Sequence, residues 1–62
     1  MSVVFEVYVK FAYSRDEIFL KRTESFYKAC EFVEEFLEFI WLHSSLDLVK
    51  HVRIIPVEVD EA

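Results

Sequence analysis

Glycine, asparagine and glutamine are absent from the 62 residues, cysteine and proline occur once each, and the longest unbroken apolar run, Phe39 to Leu42, is four residues. Each absence removes a class of function. Without glycine there is no phosphate-cradling glycine loop, which needs backbone approach that only glycine permits. With Cys30 alone there is no internal disulfide. Its place among apolar neighbours reads as a small buried hydrophobe in a reducing compartment rather than a reactive thiol. The most apolar stretch, CEFVEEFLEFIWL, carries too many glutamates to cross a bilayer. The opening MSVVFEVYVKF carries Glu6 and Lys10 where a secretory leader needs an uncharged core. A soluble, cytoplasmic protein is the expectation. Missing thermolabile amides alongside abundant Glu, Lys and Arg is the composition reported for thermophiles, and hints at a hot-living host or a virus of one.

What is present is acid and aromatic. Twelve acidic residues against seven basic give a net charge of −5, which opposes coating a phosphate backbone, since that binding is driven by Lys and Arg releasing counterions. Apolar residues make up 55% of the chain and aromatics 18%. Soluble domains average about 45–50% apolar with glycine counted. A chain of this length forms one small domain, residues 1–62, and buries only about 60% of its unfolded surface. Such a chain either packs very densely or shares apolar surface with another chain, and sharing is expected.

Met1 to Tyr13 alternates with a period of two. Val3, Phe5, Val7, Val9 and Phe11 point one way, toward the core; Val4, Glu6, Tyr8, Lys10 and Ala12 point the other. Ser14 to Glu17 is a polar connection, and Ile18 to Arg22 returns as a second strand. Its register is open, because a tight Arg15–Asp16 loop would set Lys10 opposite Lys21, an unfavourable neighbour pair. Thr23 or Ser25 then caps a helix running to about Leu42, with Glu24 placed in its first turn at the positive dipole end. Val49 to Val59 reads as a third strand, at a sheet edge or bulged at Pro56, which lacks a ladder donor. Alternatively Ser45 caps a short turn through Leu48 and delays the strand to His51. The order β-β-α-β predicts an α+β fold: a three-stranded antiparallel sheet, order 2-1-3, with one helix packed on one face.

On the helical wheel Phe26, Ala29, Cys30, Val33, Phe36, Leu37, Ile40 and Trp41 share a face expected to meet the sheet. Glu31, Glu34, Glu35 and Glu38 occupy the opposite side. They form either a solvated face or a surface for a basic protein partner. Phe32, Phe36 and Phe39 form a seam along one shoulder. The whole apolar arc, roughly 200° wide, exceeds the ~100° stripe that one sheet covers. That seam is the candidate interface of a homodimer, paired helix to helix about a twofold axis.

Catalysis, cofactors and metals find no support. The serines sit where turns and caps expect them, and His43 with His51 lacks a third ligand. A domain this small rarely encloses a substrate pocket, so no small-molecule substrate is expected. The alternative site is the open sheet face, where Tyr8 and Lys10, joined by Lys21, Phe19 or Arg53, would stack and pair with single-stranded nucleic acid. A structural subunit of a larger complex is a third possibility. In size, acidity and element order the chain resembles small virus-encoded inhibitors of host nucleic-acid enzymes, some of which imitate the charge of DNA. The resemblance implies a protein-docking inhibitor and transfers no residue roles.

Overall fold

The structure is a computed structural model that describes residues 2–60; Met1, Glu61 and Ala62, counted above in the strand or the domain, lie outside them. Its elements are β1 (Ser2–Phe11), β2 (Ile18–Thr23), α1 (Phe26–His43), a single 3-10 turn (Leu46–Leu48) and β3 (Val49–Val59). The sheet is antiparallel with order β2-β1-β3, and the helix lies on one face, as the alternation and element order predict.

The central strand earns its position by being apolar on the covered side. Val7 and Val9 are 0% exposed, and Phe5 meets Phe26 edge to face at 5.7 Å between ring centres. Cross-strand partners share a face. The helix-side layer therefore also takes in Lys21 and Thr23 of β2, opposite Val7 and Phe5, and Val52, Ile54 and Pro56 of β3, opposite Val9, Val7 and Phe5. Pro56 does lie on an edge strand.

The β2 register differs from the tight-loop pairing. Val7, not Lys10, faces Lys21, and Leu20 is left over as a bulge where Tyr8 pairs with Phe19. The physical reason is visible at Lys10. Its ammonium donates to the carbonyls of Ser14 at 2.6 Å and Arg15 at 2.8 Å, so it closes a wider connection instead of facing a second lysine. A second register shift, at Lys50, lets Phe11 face Val49.

Ser25, not Thr23, is the N-cap: its hydroxyl accepts the Lys28 amide at 3.0 Å. Thr23 is buried and donates to the Ser25 carbonyl, and Glu24 falls before the helix rather than in its first turn. The Ser45-capped turn and a strand from Val49 coexist; they are not alternatives.

The helix is rotated from the expected orientation. Ala29 is its one fully buried residue; Phe32, Val33, Phe36, Leu37 and Ile40 are half-buried. Phe26 and Trp41, assigned above to the core, are 56% and 65% exposed, and Cys30 is exposed rather than buried. The small Ala29 side chain, 0% exposed, marks the middle of the covered face. The Phe32 ring, 5.8 Å from the Lys21 ammonium, ties the helix toward β2. That turn lifts the Cys30–Trp41 edge off the sheet.

The result is a thin, elongated body of 41 × 24 × 13 Å with a radius of gyration of 12.9 Å. A compact chain of this length has about 10.6 Å.

Candidate functional site

Two charged surfaces face opposite ways. On the open sheet face, β1 sets Glu6 and Tyr8 two residues apart, and β2 sets Arg22 directly opposite Glu6. The guanidinium donates to Glu6 Oε2 through Nη2 at 2.7 Å and Nε at 3.2 Å, and the Tyr8 hydroxyl donates to Glu6 Oε1 at 2.8 Å. The Arg22 bond first, then the Tyr8 bond, holds the Glu6 carboxyl below its usual range, while the same bond raises the Tyr8 phenol. On the far side of Tyr8, Glu17 accepts two hydrogen bonds from Arg53, and His51 Nε2 lies 2.8 Å from Oε2. Arg53 first, then His51, lowers Glu17 as well. Tyr8 packs edge to face on Phe19 at 5.6 Å.

The sheet-face alternative is thereby divided. Tyr8 and Lys10 are on the open face, but Lys21 lies on the helix side under Phe32. The register bulge at Leu20 was needed to decide this, and strand alternation alone does not reveal it. Lys10 is held by the hairpin carbonyls, and Arg22 and Arg53 are closed on carboxylates. Four of the seven basic side chains are engaged within the chain.

The helix's outer surface is the reverse case. Glu31, Glu34, Glu35 and Glu38 are all exposed, and among the described residues no ion pair engages them. Exposed apolar residues border the stripe: Tyr27 toward its start, Phe39 and Trp41 on either flank, and Leu42 near its end. The seam of phenylalanines is split. Phe32 and Phe36 stack at 6.4 Å and are half-buried on the β2 side, whereas Phe39 is 58% exposed and rests on His43 at 4.6 Å.

A shallow cleft of about 240 Å³ lies between β2 and α1, lined by Lys21, Thr23, Lys28, Glu31, Phe32 and Glu35. It is smaller than the ~300–1,000 Å³ of ordinary ligand pockets, and its charges balance. Among the described residues no cluster of His, Cys, Asp or Glu is placed to hold a metal ion, and no helix is long and apolar enough to cross a membrane. In comparison with known proteins, no family model, no curated protein and no solved structure matches the chain.

Proposed function

We propose that the protein is a small acidic interaction module that docks on a basic protein through the outer face of α1. The observation that carries this reading is an asymmetry of charge. Arg22 and Arg53 are closed on carboxylates, Lys10 on loop carbonyls, and Lys21 lies over the Phe32 ring, while the four carboxylates of the stripe are exposed and meet no ion-pair partner among the described residues. Carboxylates one helical turn apart repel, each i, i+4 pair costing about 0.2–0.5 kcal/mol. A basic surface would relieve that repulsion. The bordering Tyr27, Phe39, Trp41 and Leu42 supply the aromatic and apolar anchors that carry interface energy. An inhibitor that presents carboxylates where a target expects phosphates fits this arrangement.

Docking of single-stranded nucleic acid on the sheet is the weaker reading, because Arg22 and Arg53 are already paired with Glu6 and Glu17 and Lys10 is held by the hairpin carbonyls. One experiment separates the two. Wild-type protein and a Glu34→Lys, Glu38→Lys variant are used as bait in host lysate, with and without nuclease. A basic protein retained by wild type alone, weakened by salt and indifferent to nuclease, is expected. Retention that survives charge reversal and is lost on nuclease treatment would transfer the role to the sheet face.

A further inference from the structure

β2 is an edge strand whose outer side is open. The order β2-β1-β3 pairs it with β1 alone, and among the described residues no main-chain hydrogen bond from a turn or loop reaches Ile18–Thr23. Alternate N–H and C=O groups of a strand point away from its one neighbour, so β2 keeps a row of free donors and acceptors. Edges are usually guarded by proline, by bulges or by charge. Pro56 removes a donor from β3, whereas the β2 bulge at Leu20 leaves Lys21–Thr23 in regular pairing with Phe5–Val7. The two charges of β2 are turned onto partners, Lys21 over the Phe32 ring and Arg22 onto Glu6.

The cleft between β2 and α1 flanks that open edge. Side chains of β2 and α1 line it and none of β1 does, so it sits at the outer margin of the sheet. At about 240 Å³ it is small for a ligand pocket, but a strand added to β2 would send alternate side chains into it. We infer that an extended segment of the basic partner adds to β2 as a fourth strand, its helix-side positions acidic beside Lys28 and basic beside Glu31 and Glu35. Spacing and charge select that pattern. Glu31 and Glu35 are one turn apart, about 6 Å, and alternate residues of a strand are about 6.8 Å apart. Neither carboxylate meets an ion-pair partner among the described residues, and nor does Lys28, which stands in the first turn at the other end of the cleft. Lys21, the remaining cation there, is taken up by the Phe32 ring. This mode of docking rests on the reading of α1 as a surface for a basic protein, and names the form that protein presents.

A synthetic peptide tests this, with aspartate, lysine and lysine at alternate central positions among valines and threonines, made with the pattern in either direction. The isotope-labelled full chain is titrated with it to about 1 mM, and amide exchange is followed by NMR. Binding is expected to slow exchange at alternate amides of Ile18–Thr23 and to leave β3 unchanged. N-methylating one alternate set of peptide amides should abolish binding, and methylating the other set should not. The sign-reversed peptide, with one lysine and two aspartates, should bind about tenfold more weakly. Glu31→Gln with Glu35→Gln should erase that preference; both positions are exposed, and far-UV circular dichroism confirms the fold. No binding, binding indifferent to both methylated sets, or a sign-reversed peptide that binds equally well overturns the inference. So does a preference that survives the glutamine variant. Glu34→Lys with Glu38→Lys, which do not line the cleft, should leave the β2 protection in place, so loss of the lysate partner and loss of edge pairing read out separately.

Discussion

Arg22 and Glu6 stand directly opposite each other on β2 and β1, and the guanidinium closes on the carboxylate through both Nη2 and Nε. The pair fixes the register of a strand whose sequence leaves it open. Because the same carboxylate also accepts a hydrogen bond from the Tyr8 hydroxyl, one side chain joins strand pairing to the open face.

Stability should therefore fall in acid in a defined window. Glu6 and Glu17 both have folded-state affinities for the proton below the usual carboxylate value of 4.5. The unfolded chain then binds more protons between the two values. The stabilisation is complete above pH 4.5 and is lost as pH falls through the lowered folded-state values. Urea midpoints measured from pH 7 to pH 2.5 should decline below pH 4.5. In a Glu6→Gln, Glu17→Gln variant the decline should be shallower, starting from a lower plateau.

Lys10 closes the hairpin by donating to two loop carbonyls. Hydrogen bonds to a charged group are worth about 1.5–3 kcal/mol when sheltered, and less at a partly exposed site. Lys10→Met should cost about 1 kcal/mol in chemical denaturation. It should also speed amide exchange in the Ala12–Glu17 connection while leaving that of β3 unchanged.

Ser25 is the cap on a helix that has few sheet contacts to spare. Ser25→Ala removes the acceptor of the Lys28 amide and should cost about 1 kcal/mol, whereas Ser25→Gly should cost only a few tenths. Thr23→Ser, which keeps the donor to the Ser25 carbonyl, should be milder than Thr23→Val. Thermal melts followed by circular dichroism give the ranking.

The core is so small that single changes in it weigh heavily. Val7→Ala should cost about 2 kcal/mol, two buried methylene equivalents plus a cavity. Ala29→Leu should cost roughly 1–3 kcal/mol by forcing the helix off the sheet. Domains of this size hold only about 3–9 kcal/mol in total. Either variant is expected to show a large drop in urea midpoint.

Cys30 should react with a disulfide reagent in the native protein without denaturant, because it is exposed.

Much of this architecture is legible in the residues. The alternation of Phe5, Val7 and Val9 gives the central strand and its covered face, but at the strand's start it fails: Val3, expected toward the core, is 44% exposed, and Val4, expected on the other side, is buried. Pro56 sends β3 to the edge. The β-β-α-β order then admits few compact arrangements. Two things resist reading. The β2 register depends on a bulge at Leu20 and on a lysine that prefers loop carbonyls, and neither leaves a periodic trace. The helix's rotation resists for a different reason. A wheel shows which residues share an arc, but not which part of a 200° arc a narrow sheet can hold. Ala29, placed by sequence in the core alongside Cys30 and Trp41, turns out to mark its centre. The exposure of the glutamate stripe needs only the wheel; the engagement of the arginines needs the register.

No described residue has a positive φ, and the chain has no glycine to supply one. Every turn is thus built from backbone angles open to ordinary L-residues, so its sequence can change without strain. The same feature acts on the unfolded chain, which has fewer states to lose on folding than a glycine-bearing chain of equal length. With four buried apolar side chains among the described residues, the protein should therefore draw part of its stability from the stiffness of its disordered state. Introducing glycine into the hairpin connection should lower the melting temperature even where no native contact is touched.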